Sequence, residues 1–148
     1  MRVLFISILF IIASSSAHAQ LEMWKDYEPS KKVLSVTTVK VDSNMRDVYL
    51  EGLSETWAPS MEAQKKLGLI EDYWIYASEL PNSGDFNLIL GVEYADSEAT
   101  EYTKERHDAF MKEMTKASVD KADEKARTEY PSIRTITGEY ALRKITLK

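Results

Sequence analysis

The segment that decides the fold is GLIEDYWIYASE, residues 68–79. Its four consecutive bulky residues, 73–76, are typical of a β-strand. Because successive strand residues point to opposite faces, Tyr73 and Ile75 share one face of this strand. Trp74 and Tyr76 share the other. Both faces therefore carry apolar bulk, and each of them needs a cover.

Three further segments predict strands, because they are rich in β-branched and aromatic residues and alternate in polarity. They are residues 32–41, 86–94 and 132–147. In the second of these, Leu88, Leu90 and Val92 share a face and Ile89 lies on the other. Gly138 predicts a β-bulge in the last strand.

The segment between the first two strands has the periodicity of an amphipathic helix. Its apolar residues recur at spacings of three and four: Met45, Val48, Tyr49, Leu53 and Trp57. Pro59 falls inside this pattern and is expected to kink or interrupt the helix. Gly68 stands where a helix C-terminal glycine belongs.

A second helical region follows the third strand. Asp96 and Ser97 are expected to cap its start. One face is marked by Ala99, Tyr102, Arg106, Phe110 and Met114. The charged residues 120–130 predict a solvated helical extension, which Pro131 ends.

The resulting order, β-α-β-β-α-β, predicts a ferredoxin-like α+β fold with one four-stranded antiparallel sheet and both helices on one face. The face without helices would then be open, although both sheet faces are apolar, with Tyr73 and Ile75 on one face of the second strand and Trp74 and Tyr76 on the other. A twofold homodimer through this sheet face covers it economically. We therefore expect a dimeric α/β barrel.

Two features resemble a known superfamily. They are Trp57-Ala58-Pro59 in the first helix and KKLGLIEDYWIY, with Gly68, Ile70 and Tyr73, at the helix-to-strand junction. On these residues the chain resembles the dimeric α/β-barrel superfamily, which includes antibiotic-biosynthesis-monooxygenase-like proteins. The resemblance covers residues 32–147. It implies the same fold. For the activity, it implies cofactor-free monooxygenation, haem chemistry or no catalysis at all.

Haem-degrading members of that superfamily pair an Asn on the first strand with a Trp and a His that are close in sequence. The first strand here has no Asn, and Trp57 and His107 are fifty residues apart. The resemblance therefore does not extend to the haem-degrading residues.

The first 19 residues predict a secretory signal peptide. Arg2 precedes an apolar run that is far shorter than the about 20 residues of a membrane-spanning helix, and Ala17-His18-Ala19 is a cleavage motif. Export to a bacterial periplasm or the medium is expected, with no membrane association after cleavage. Residues 20–31 then form a loose leader, and residues 32–148 the domain.

Composition excludes several classes of function. Without Arg2 the chain keeps 18 basic and 24 acidic residues, a net charge of −6, which disfavours nucleic-acid binding. There is no cysteine, so disulfides and thiolate chemistry are excluded. The absence of clustered ligands predicts no metal site.

Aromatic placement and the superfamily resemblance together predict a binding site for a small apolar or aromatic ligand. Tyr49, Trp57, Trp74 and Tyr76 are expected to wall a pocket between sheet and helices. The alternatives are that these aromatics fill the core and the dimer interface of a purely structural protein, or that the protein is an enzyme.

Two residues are candidates for catalysis. His107 is the single histidine left after cleavage and could be a haem ligand or a proton-transfer base. Glu93 shares a strand face with Ile89, and if it were buried its raised pKa would suit a base. A surface position is the competing interpretation for both. No cofactor is expected, and haem is the alternative.

Overall fold

The computed structural model describes residues 20–80 and 84–148. The predicted signal peptide, and residues 81–83 of the turn before the third predicted strand, lie outside the described residues. No helix in the described ranges has the length and hydropathy needed to span a bilayer.

Six strands and four α-helices follow in this order: β1 Tyr27–Pro29, β2 Val33–Val41, α1 Arg46–Glu55, α2 Trp57–Lys66, β3 Asp72–Ala77, β4 Leu88–Tyr94, α3 Lys104–Glu113, α4 Lys116–Thr128, β5 Arg134–Leu142 and β6 Ile145–Leu147. Short 3-10 turns lie at Glu98–Thr100 and Tyr130–Ser132. Strands β2 to β5 form one antiparallel sheet in the order β3-β4-β2-β5. This is the predicted ferredoxin-like α+β fold.

The core lies between the sheet and α1. Odd-numbered residues of β2, such as Val39, face the helices. The buried cluster is Val39, Val41, Tyr49, Leu53, Leu88 and Tyr130. Trp57 and Ile75 pack against it, which places α1 and the start of α2 on this face.

Pro59 interrupts the first helical region, as predicted, and the break lies three residues earlier, at Thr56. The reason is that proline has no N–H for the Glu55 carbonyl and its ring clashes with that group. The second helix ends at Lys66, and Gly68, two residues later, has a φ of +68°. The Gly68 N–H donates to the backbone carbonyl of Lys65, and the Leu69 N–H donates to that of Gln64. These are the two hydrogen bonds of a Schellman motif.

The second helical region differs from the prediction. Asp96 caps only the 3-10 turn, accepting from Ala99 N–H at 2.9 Å. The α-helices begin after Thr103 and Thr115, whose side chains accept from backbone N–H groups three residues on. Threonine hydroxyls compete with the helix interior for these bonds and start new helices instead.

The final predicted strand is divided into β5 and β6. The bulge lies at Thr137, next to the predicted Gly138, since Thr38 pairs with Gly138 while Val39 pairs with Ile136. The predicted loose leader contains β1, which pairs with β6. That pairing joins the two ends of the described chain, which local sequence patterns do not reveal.

Candidate functional site

The face of the sheet that points away from the helices is named the open face. Its register places side chains in rows across the four strands, in the order β3-β4-β2-β5. The central row is Trp74, Gly91, Val36 and Tyr140. The rows on either side are Tyr76, Ile89, Thr38 and Gly138, and Asp72, Glu93, Leu34 and Leu142.

Aromatic rings lie flat on the middle of the open face. The indole of Trp74 covers Gly91, where a Cβ would sit 2.2 Å from the ring. Tyr76 packs beside that indole, with ring centroids 4.6 Å apart. Val36, between Gly91 and Tyr140, is buried as a result. The centre of the open face is therefore smooth and apolar.

The outer surface of these rings is exposed to solvent in the single chain. Tyr76, Tyr140 and Leu142 are 62%, 51% and 45% exposed. A contiguous aromatic and aliphatic surface of this kind is typical of an interaction site. The open face can therefore contact a flat apolar partner.

Charged side chains lie at both ends of the open face, with Lys40 at the end opposite Glu93, where its Nζ donates to the Gly84 carbonyl at 2.8 Å. Lys32 Nζ pairs with Glu93 Oε1 at 2.5 Å and also with Glu71. The hydrogen bonds that Lys32 donates to Glu71 and then to Glu93 raise the pKa of Lys32, and the bond from Lys32 lowers the pKa of Glu71. Glu93 has a side chain 34% exposed and ion-paired, so the burial that would make it a base is not present.

A cleft of about 410 Å³ lies on the other side of the molecule, between α2, α3, α4 and the end of β4. It is named the helical cleft, and its main lining residues are Gln64, Tyr94, Arg106, His107, Phe110 and Met111. Phe110 and Met111 supply apolar wall, while Arg106 and His107 supply nitrogen donors. The mixture suits a small ligand with an apolar body and few polar groups.

His107 lies at the edge of the helical cleft and is exposed. Its Nδ1 is 2.7 Å from the hydroxyl of Tyr102. Beside it, Arg106 donates to the backbone carbonyls of Leu69 and Glu98, each at 3.1 Å. These bonds tie the 3-10 turn after β4 to the end of α2 and hold this edge of the cleft in place.

A second, more open cavity of about 640 Å³ lies at the end of the sheet. It is named the sheet-end cleft, and its main lining residues are Val33, Ser35, Tyr94, Ala141, Arg143 and Ile145. Tyr94 and Thr100 line both cavities, so the two clefts adjoin there.

The sheet separates the four aromatic residues that were expected to wall one pocket. Tyr49 is 1% exposed and packs edge-on against Tyr130, and burial raises the pKa of its phenol. Trp57 packs edge-on against Tyr73 on the same helix side. Trp74 and Tyr76 point away from the helices because of strand alternation. The two pairs therefore do not meet in one cavity.

Of the residues that line the two clefts, His107 is the site candidate that the sequence predicts, and the sequence does not predict the clefts themselves. Helical periodicity predicts one helix face for Phe110. It does not predict that Phe110 and Tyr94 line the same cleft, because that depends on packing between elements that are distant in the chain. Arg143 had no local signal, since it follows an exposed strand. Within residues 20–80 and 84–148, no group of three or more His, Asp or Glu side chains could hold a metal ion.

Comparison with known proteins returned structural similarity alone. No family model matches the chain, and no curated protein matches it significantly. A dimeric ferredoxin-like protein from an uncultured marine organism is 12% identical, covers 80% of this chain and 90% of its own, and has a TM-score of 0.43. A dimeric ferredoxin-like protein of unknown function from Thermobifida fusca YX is 11% identical, covers 78% and 91%, and has a TM-score of 0.34.

Proposed function

We propose that this chain is an exported homodimer, joined through the open face, that binds a small apolar or aromatic ligand in the helical cleft. The observation that carries the dimer is the exposed aromatic surface of the open face. The observation that carries ligand binding is a cleft with apolar walls and a few fixed polar groups.

A second copy of the chain is the occupant that best suits the open face. A twofold axis brings the same patch together from both chains, so an apolar centre meets an apolar centre. The charged residues, Lys32 and Glu93 at one end and Lys40 at the other, are at the periphery, where interfaces are polar. Flat-lying Trp and Tyr rings are the residue types enriched in interface centres.

The dimer is tested by light scattering on purified mature protein. Tyr76→Glu and Tyr140→Glu each place a charge in the apolar centre, and both variants are expected to be monomers. Val48→Glu is the matched control, because Val48 is 52% exposed on α1, on the helix side. A wild-type chain that elutes as a monomer at high concentration contradicts the proposal.

The helical cleft is within the size range of small-molecule sites, about 300 to 1,000 Å³. Leu69, Phe110, Met111 and Val119 give it an apolar lining from α3, α4 and the α2–β3 junction. Tyr94 and Arg106 place hydrogen-bonding groups at fixed positions, Arg106 through its two backbone bonds. The arrangement favours an aromatic or short aliphatic body with one or two polar substituents.

The cleft is tested with N-phenyl-1-naphthylamine, a neutral apolar fluorescent probe. Met111→Trp fills the cleft and is expected to reduce probe binding at least tenfold. Met45→Trp is the control, since Met45 is partly exposed before α1 and far from the lining residues. Equal probe binding by the two variants contradicts the helical cleft as the site.

The alternative function is enzymatic. The protein would then be a cofactor-free monooxygenase or a haem-dependent oxidoreductase with haem bound at His107. The pairing of His107 with the Tyr102 hydroxyl supports proton transfer at the cleft edge. Addition of haem to the purified protein decides the haem branch. A Soret band that disappears in His107→Ala supports it, and no haem uptake opposes it.

A structural dimer without a ligand is the outcome if neither probe nor haem binds.

Export belongs to the same proposal and is supported by the composition of residues 1–19. Mass spectrometry of the protein from a host that secretes it is expected to give a mature chain starting at Gln20. An intact N-terminus on protein recovered from the cytoplasm would contradict export.

A further inference from the structure

Arg143 lies where the sheet-end cleft opens to solvent. It follows β5 and precedes the short strand β6, so it stands between Ala141 and Ile145, which are two apolar walls of that cleft. Ser97 and Thr100 add hydroxyl groups to the lining. The cleft thus combines an apolar floor with a single cation at its mouth.

The guanidinium of Arg143 is held in place by three hydrogen bonds. Nη1 donates to the carbonyls of Ser30 and Lys31 at 2.8 and 3.1 Å, and Nη2 donates to the hydroxyl of Ser97. A guanidinium has five N–H donors, so two remain available. The fixed group is preorganised, which reduces the entropy lost when an anion binds.

No carboxylate within the described residues lies at ion-pair distance from Arg143. Asp96 and Glu98 line a small outer cavity beside it, and Asp96 already accepts from Ala99 N–H. The three partners of Arg143 are neutral oxygens, so none of them forms an ion pair with it. An external carboxylate complements that charge.

The adjoining clefts supply the rest of the ligand's shape. Tyr94 and Thr100 line both, so a chain that starts at Arg143 can continue past Tyr94 to Phe110 and Met111. A carboxylate at Arg143 and an apolar chain along Phe110 and Met111 match this sequence of surroundings.

We infer that the ligand is a small organic carboxylate with an apolar chain, held by Arg143 at the sheet-end cleft with its chain in the helical cleft. This inference rests on the proposed function, because it names the chemical class of the ligand for the same cavity system. It also assigns specificity to a residue outside the helical cleft.

Octanoate and 1-octanol are the probes, since they share an apolar chain and differ in charge. Both are measured by displacement of N-phenyl-1-naphthylamine from the mature protein. Octanoate is expected to bind at least about tenfold more tightly than octanol, the typical gain from charge-assisted hydrogen bonds. This comparison uses the unaltered chain, so it does not depend on how a variant folds.

Arg143→Gln is expected to weaken octanoate binding about tenfold and to leave octanol unchanged, and Arg143→Lys to restore part of the loss. Lys144→Gln is the matched control, because it removes the same charge from the next residue, outside the cleft lining. Equal binding of octanoate and octanol, or an unchanged octanoate affinity in Arg143→Gln, overturns the inference and leaves the apolar site standing. Failure of both probes and of the naphthylamine overturns both.

Discussion

The indole ring of Trp74 lies directly on the backbone of Gly91. The two residues are paired across β3 and β4, and a Cβ at Gly91 would be 2.2 Å from Cζ2 of the ring. Only a glycine permits this approach. The contact keeps the indole flat, so the open face presents the broad surface of a ring where a protruding side chain would otherwise stand.

Gly91→Ala is therefore expected to lift the Trp74 indole from the sheet and to weaken the dimer. The added methyl group cannot share the space of the ring, and a raised ring disturbs packing between two flat faces. We expect the indole N–H resonance of Trp74 to shift and the dimer to dissociate at least tenfold more readily in sedimentation equilibrium. Gly84→Ala is the control, since nothing lies within 4 Å of a Cβ there. An unchanged dimer with an unchanged Trp74 resonance would refute this role of the contact.

Thr56→Val is expected to lower the free energy of unfolding by about 1–3 kcal/mol. The Thr56 hydroxyl donates to the Gly52 carbonyl at 2.8 Å and is 2.8 Å from the hydroxyl of buried Tyr130, which then acts as donor. Valine keeps the shape but leaves the Tyr130 hydroxyl without an acceptor. Urea denaturation measures the change.

Thr56→Ser keeps that hydroxyl and is expected to recover most of the loss. Thr128→Val removes an exposed hydroxyl from α4 and should change the free energy by less than about 0.5 kcal/mol. If Thr56→Val were as stable as the wild type, the buried hydrogen bonds would have no net stabilising effect.

The attachment of α4 to α1 is expected to weaken in acid. Hydrogen bonds from Lys125 and then Lys121 lower the pKa of Glu55. A carboxylate with a lowered pKa in the folded state contributes stability above its unfolded pKa and loses it as the pH falls through the folded pKa. Hydrogen exchange of Lys116–Thr128, relative to the intrinsic exchange rate at each pH, should therefore accelerate below the ordinary pKa of glutamate.

Glu55→Gln is expected to show that faster exchange already at neutral pH and to lose the acid dependence. Glu51→Gln, also on α1 and exposed, is the control. Identical exchange of α4 in the wild type and in Glu55→Gln across this pH range would show that the ion pairs do not hold the helix.

Tyr73 is expected to titrate well above an ordinary tyrosine. Its hydroxyl donates to Glu62 Oε1 at 2.6 Å, and this bond, followed by burial, raises its pKa to about 12. A group whose pKa is raised in the folded state contributes stability below its unfolded pKa, about 10, and loses it as the pH rises through 12. The fold should therefore weaken in that alkaline interval.

The titration of Tyr73 is isolated by measuring tyrosinate absorbance against pH in the wild type and in Tyr73→Phe and taking the difference. Glu62→Gln should return the pKa of Tyr73 toward its ordinary value, because the negative acceptor is removed. The control is Tyr76→Phe, which removes a tyrosine from the open face. A difference curve centred at the ordinary tyrosine pKa in the wild type would contradict the effect of Glu62.

The fold was predictable from local pattern because alternation and helical periodicity are properties of neighbouring residues. The alternation in β2 placed Val39 and Val41 on one face, and Gly68 marked the end of α2, where the backbone has a positive φ. Pro59 predicted the helix break to within a few residues, since its effect acts on the carbonyl four residues before it.

The candidate site was less predictable, because it depends on which elements meet. Trp57 and Trp74 both belong to apolar patterns in the sequence. Because α1 and α2 pack on one face of the sheet, Trp57 lies on the helix side of the sheet and Trp74 on the open face. Tyr140 joins Trp74 on the open face through a register that the extra residue Thr137 sets.

The residues of this chain therefore determined its strands, its helices and the presence of two apolar sheet faces. The tertiary structure determined which aromatic residues share a face, and it brought Tyr94, Phe110 and Arg143 around two adjoining clefts. The physical reason is that alternation and capping act over a few residues, whereas strand register and helix packing join residues that are far apart in the chain.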